Sequence, residues 1–107
     1  MAGFDDRKKS FESKYAHDQE LEFKANARRN KLLGLWAAEL MGLSETESLD
    51  YAKSVVKADF EEAGDEDVFR KIRGDFDARG IEQTDHQIRT KMSQLLDEAR
   101  KQVHEES

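Results

Sequence analysis

Apolar residues recur along this chain every three or four positions, the spacing of a helix face, and glycines and helix caps divide them into four segments. The first is predicted from about Asp5 to Met41 and stops at Gly42, because glycine accepts the left-handed backbone of a helix C-terminus without strain. Ser44-Glu45-Thr46-Glu47 opens the second as a capping box, in which each side chain satisfies the other residue's free backbone donor. Its stripe of Leu49, Ala52, Val56, Phe60 and Ala63 ends at Gly64. The acids Asp65, Glu66 and Asp67 suit the positive end of a third helix, which carries Val68, Phe69, Ile72 and Phe76 before Gly80. Gly74 weakens that helix by roughly 1 kcal/mol relative to alanine. A second capping box, Thr84 to Gln87, starts the fourth, whose stripe of Ile88, Met92, Leu95, Leu96, Ala99 and Val103 is the cleanest in the chain.

Inside the first segment the pattern breaks. From Leu21 onward, Ala25, Leu32, Trp36, Leu40 and Leu43 form a broad stripe able to close a bundle against the other three helices. Upstream, Phe4, Phe11 and Tyr15 share a face of their own, but three, four or seven residues past Tyr15 stand Asp18, Gln19 and Glu22. The two stripes are therefore not one seam. The pattern predicts an all-α protein: a four-helix bundle-like domain over residues 21–107 with a long first helix, preceded by a mobile, partly helical arm over residues 1–20. An isolated helix of that length is marginal in water, so the arm is expected to fray when free and to order on binding. Its aromatics could instead fold back into the core. The broken register and the adjoining Arg7-Lys8-Lys9 cluster favour an exposed ridge, and exposed aromatics on one helix face are the usual anchors of helix-in-groove recognition.

Composition narrows the class. With 107 residues there is room for one domain and a tail, and with no proline and only six glycines nothing opposes long helices. Charged residues make up 39% of the chain and the mean hydropathy is −0.93, so the core must come from narrow stripes. A net charge of −6 argues against nonspecific binding to nucleic acid or anionic lipid. That charge is uneven: residues 1–31 hold eight Lys/Arg against six Asp/Glu, a net +2, so the remaining 76 carry −8. Asp5 with Lys9, and Lys8 with Glu12, stand at the spacing that supports a helix by a few tenths of a kcal/mol. The absence of cysteine removes disulfides, thiolate zinc sites and thiol nucleophiles. No signal-peptide core or membrane-length apolar run is evident. A cytoplasmic protein, not inserted in a membrane and monomeric when free, is expected.

No catalytic constellation is visible. His17, His86 and His104 are far apart, and none has a second ligand at helical metal-site spacing. A calcium loop from Asp65 would need glycine where Arg70 stands, so helix capping accounts better for these acids. No glycine-rich phosphate loop occurs. The cluster Arg28, Arg29, Asn30 and Lys31, with Trp36 little more than a turn beyond, offers guanidinium groups to phosphate and an aromatic face to a base. Its competing explanation is a solvated helix face beside a core tryptophan. Arg28, Arg29, Lys31 and Trp36 are thus the candidates for an adenine-nucleotide site, with no other cofactor indicated.

FDDRKKSFESKYAHDQELEF, then ANARRNKLLGLWAAELMG and DYAKSVVKADFEEAGDEDV, together resemble the zeta subunit, the ATPase inhibitor of alpha-proteobacterial F-type ATP synthases. The likeness spans essentially the whole chain in a specific order of motifs; Tyr15 stands where phenylalanine is expected. The resemblance implies a four-helix domain whose N-terminal region enters a catalytic interface of the synthase head and reaches towards the central stalk. It implies inhibition of ATP hydrolysis without catalysis, and a position peripheral to the inner membrane while bound. Carried onto this sequence, the inhibitory segment runs from Phe4 to about Gln19. Phe4, Phe11 and Tyr15 are its apolar anchors, and Asp5, Arg7, Lys8, Lys9, Glu12 and Lys14 its polar contacts. Some members of the family are also expected to bind ATP or ADP in the folded domain. The alternative function is accordingly an adenine-nucleotide-binding sensor or a helical adaptor.

Overall fold

The computed structural model describes the backbone of residues 2–59 and 66–106, and side chains from residue 18 onward within those ranges. Four helices follow one another: α1 (Ala2–Leu40), α2 (Glu45–Ala58), α3 (Glu66–Arg79) and α4 (Asp85–Glu106). Among the described residues there is no strand. The fold is an all-α four-helix bundle with a long first helix, as the apolar periodicity predicts.

The helix ends are set by local chemistry. Ser44 Oγ accepts from the Glu47 amide at 3.2 Å while the Ser44 amide donates to the Glu47 carboxylate at 3.3 Å, which is the reciprocal box. Thr84 and Gln87 repeat it at the start of α4, at 3.1 and 2.8 Å. At the other ends, Gly42 and Gly80 take φ of +73° and +68°. The Gly42 amide donates to Glu39 and the Leu43 amide to Ala38, and Gly80 and Ile81 donate to Asp77 and Phe76 in the same pattern. These are two Schellman closures, in which otherwise orphaned carbonyls of the last turn are satisfied.

Several predicted details are corrected. The second helix does not run to Gly64: α2 ends at Ala58, with Asp59 as its cap, while Phe60, Ala63 and Gly64 lie outside the described residues. Its buried face is Ala52 and Val55, and Leu49 is 46% exposed with Val56 only half-buried. The cause lies in α1. An added Cβ at Gly34 would stand 2.6 Å from the Cα of Ala52, so glycine and alanine let the two backbones approach and turn the Ala52 side of α2 inward. In α1, Leu40 is exposed, and the buried hydrophobic positions are Leu21, Ala25, Leu33, Ala37 and Ala38. The stripe of α3 holds, with Val68, Phe69, Ile72 and Phe76 all buried; in α4 Ile88, Met92, Ala99 and Val103 are buried, while Leu95 and Leu96 are half-buried at the edge of the core.

The core comes in two parts. The larger draws on all four helices, including Leu33, Val55, Ile72, Phe76 and Ile88, with Trp36 edge-to-face against Phe76 at 5.7 Å between ring centres. The smaller joins α1 and α4 alone, through Leu21, Ala25, Ala99 and Val103. Between them along α1 sit two fully buried polar residues, Arg29 and Asn30. Arg29 Nε donates to Asn30 Oδ1 at 2.7 Å. A polar layer thus divides the apolar interior where the sequence suggested a solvated face.

Candidate functional site

Two parts of α1 carry the predicted function, and they meet near residue 20. Asp18, Gln19 and Glu20 are exposed, whereas Leu21 is 6% exposed and is the first buried residue among the described side chains. The backbone remains helical from Leu21 back to Ala2. At 1.5 Å per residue, the stretch from Ala2 to Glu20 amounts to roughly 28 Å of helix. The boundary expected near residue 20 between arm and domain therefore lies within one continuous helix. The side chains of Phe4, Asp5, Arg7, Lys8, Lys9, Phe11, Glu12, Lys14, Tyr15 and His17 lie outside the described residues, as do the helix-supporting pairs expected among them.

Where α1 enters the body, two forked ion pairs bind it to α4. Arg100 reaches both carboxylate oxygens of Glu22, the shortest contact being 2.6 Å. Arg28 holds Glu106 in the same two-toothed way, one contact measuring 2.8 Å. The planar guanidinium suits this geometry as an ammonium would not. Each arginine draws its carboxylate below the ordinary range, chiefly by hydrogen bonding, and each is itself held further above its usual value. Neither pair is suggested by spacing, since each joins residues 78 positions apart.

The nucleotide candidates separate. Arg28 and Lys31 face one cleft, of about 410 Å³, together with Phe23, Val56 and Glu106. Arg29 turns the other way and lines a different cleft of about 230 Å³ with Arg89, Met92, Ser93 and Leu96. Trp36 packs on Phe76 and lies 5.9 Å from the Lys91 ammonium. One helix supplies all four residues, but consecutive positions on a helix point apart, so they do not converge on one concavity.

The remaining polar clusters bind the helices to one another. Tyr51 donates to Asp75 at 2.6 Å, and both burial and that carboxylate push its hydroxyl well above the usual tyrosine range. Lys71 completes the group, 3.2 Å from Asp75 and over the Tyr51 ring. Arg73 joins Asp77, Asp85 and the Gln83 carbonyl, fastening the α3–α4 turn. Arg89 pairs with Glu66 while its guanidinium lies 3.9 Å from the Phe69 ring centre. Among the described residues no three of His, Cys, Asp and Glu gather as metal ligands, and no helix is long and apolar enough to cross a membrane.

A whole-length comparison decides the family: the pattern of ATPase inhibitor subunit zeta matches residues 1–102. The chain belongs to that family. A protein solved by solution NMR is similar, at 49% identity, with a TM-score of 0.71 over 81% of this chain and 99% of that one. No curated protein matches. Membership supports an inhibitory role towards ATP synthase, and with it binding to the synthase. Three features were missed by sequence reasoning: the burial of Arg29 and Asn30, the Gly34–Ala52 approach, and the two α1–α4 forks. The first had a signal, since Arg29 stands four residues from both Ala25 and Leu33 on the inward face. The second had one too, in the small residues Gly34, Ala37 and Ala38.

Proposed function

We propose that this chain inhibits ATP hydrolysis by inserting the N-terminal part of α1, residues 1–20, into a catalytic interface of the ATP synthase head, reaching towards the central stalk. Residues 21–107 stay outside as the body. The observation that carries this reading is the continuation of α1 from Leu21 back to Ala2, past the exposed Asp18, Gln19 and Glu20, in a chain of the inhibitor family. Phe4, Phe11 and Tyr15 serve as anchors in the head, with Asp5, Arg7, Lys8, Lys9, Glu12 and Lys14 as polar contacts. The protein binds and does no chemistry. It is a cytoplasmic monomer when free and peripheral to the inner membrane when bound.

Magnitudes define what the helix must supply. Full burial of three aromatic side chains yields about 1.5–3 kcal/mol each, whereas ordering some fifteen backbone residues costs about 1–2 kcal/mol apiece. Anchors alone fall short. Intrahelical hydrogen bonds, helicity already present and charge contacts offset the difference, and attachment to a folded body that also touches the head raises effective concentration. Deleting residues 1–19 is expected to abolish inhibition of the purified head while leaving the circular dichroism melt of the body nearly unchanged. Full inhibition by the truncated protein would refute the insertion reading.

A second reading, an adenine nucleotide held by the body, is favoured by one observation: Arg29, Arg89 and Ser93 line a single cleft between α1 and α4. Two guanidinium groups and a hydroxyl suit a phosphate. Titration with ATP or ADP, followed by amide shifts from Arg28 to Trp36 and around Ser93, tests it; unmoved resonances at millimolar nucleotide would dismiss it.

A further inference from the structure

We propose that the outer face of the α1–α2 pair is a second docking surface, which receives an acidic segment of ATP synthase bearing one or two apolar side chains. This rests on the inhibitor reading above and adds a contact that the N-terminal helix does not make. The face is a pair of adjoining clefts, about 410 and 270 Å³, that share Lys31 and Val56. Phe23 is 62% exposed at one end and Leu49 is 46% exposed at the other. Leu49 and Val56 are the residues that the apolar pattern assigned to the interior. The close Gly34–Ala52 approach fixes the rotation of α2 and leaves Leu49 exposed and Val56 only half-buried.

Charge selects the occupant. The residues lining the two clefts include four cations, Lys24, Arg28, Lys31 and Lys53, and one carboxylate, Glu106, which Arg28 already engages. The local balance is thus +3 on a chain whose net charge is −6. Lys24 pairs with Glu20 at 3.2 Å; among the described residues Lys31 and Lys53 have no ion pair. A cationic rim around exposed apolar side chains complements an acidic segment carrying an apolar anchor. An anionic bilayer would meet the repulsion of the whole acidic molecule, whereas a short acidic segment meets only the local field within a Debye length of about 8–10 Å. The chain's own N-terminal segment is a poor occupant on charge, since residues 1–17 hold four Lys/Arg against three Asp/Glu. Docking here would fix the body on the same helix that carries the inserted segment, and would so set the direction in which that segment points.

The experiment compares three full-length double variants as inhibitors of the purified synthase head. Lys31→Glu with Lys53→Glu is expected to raise the half-inhibitory concentration about ten-fold at low salt, with complete inhibition retained at saturation and the melt unchanged. Lys31→Arg with Lys53→Arg is expected to behave as the parent. Phe11→Asp with Tyr15→Asp is expected to lose inhibition at saturation. An unchanged half-inhibitory concentration in the lysine-to-glutamate variant overturns the docking surface and leaves the insertion reading standing. Full inhibition by the aromatic variant overturns the insertion reading instead. If the lysine-to-glutamate variant loses only binding to anionic vesicles, or only self-association in sedimentation, the face belongs to a bilayer or a second copy and the proposal falls.

Discussion

At one end of the body, α2, α3 and α4 converge on α1 around Phe76; at the other, α1 meets α4 alone around Leu21 and Ala25. The first end is filled by large side chains from every helix. The second uses Leu21 and Val103 with two alanines, and is laced outside by Arg28–Glu106 and Arg100–Glu22. The difference separates two tasks. Stability resides where much apolar surface is removed from water, whereas the point at which α1 leaves the body is held by small contacts and by charge.

The sharpest test of that contrast is a pair of truncations. Phe76→Ala, at a fully buried site, is expected to cost about 3–5 kcal/mol, enough to unfold much of a domain of ordinary stability. Leu21→Ala is expected to cost about 2 kcal/mol, because its neighbours are small and its site lies at the edge. Chemical denaturation measures both, and equal losses would break the comparison.

Two glycines sharpen it further. Gly34→Ala places a methyl against the Ala52 backbone and is expected to destabilise by about 1–2 kcal/mol, despite the better helix propensity of alanine. Gly74 has open space around it, so Gly74→Ala is expected to stabilise by about 0.5–1 kcal/mol. Opposite signs in the two melts are the expected result; a gain at both sites would mean that the α1–α2 seam is slack.

Acid gives the smallest effect. The Glu22 and Glu106 carboxylates titrate below their ordinary value near 4.5, held there by Arg100 and Arg28. A lowered native value means that the stabilisation is present in full above that ordinary range and is lost as pH falls through the native one. Melting temperature is therefore expected to show no pH dependence from these pairs between pH 8 and pH 5, where their contribution is complete, and to drop below about pH 4.5. Glu22→Gln should flatten the acid limb slightly; an identical limb would show that the fork contributes nothing, as many exposed pairs do.

What could be seen in the sequence follows from how far each signal reaches. Both capping boxes, the Gly42 and Gly80 closures and the buried faces of α3 and α4 depend on residues a few positions apart, and all were legible. The face of α2 was not, because its rotation is decided by the meeting of Gly34 with Ala52 across two helices. For Arg29 the sequence offers a nucleotide site or a solvated face, both of which leave it accessible, although its place between Ala25 and Leu33 puts it inside. The forks to α4 join distant stretches of chain, which no local pattern encodes. Of the candidate site, only the placement of Arg28, Arg29, Lys31 and Trp36 can be compared with the structure. They share a helix, but only Arg28 and Lys31 share a cleft, while Arg29 lines another and Trp36 lines neither.

The buried Arg29–Asn30 pair also acts as an index mark. Sliding α1 along α4 by one turn, about 5.4 Å, would drive a guanidinium into one of the two apolar clusters and strand it there, a far larger penalty than mismatching alanines and leucines. Only one axial setting of the long helix is then comfortable. The length of helix that projects beyond the body is thereby gauged from within, as a probe cut to a fixed depth.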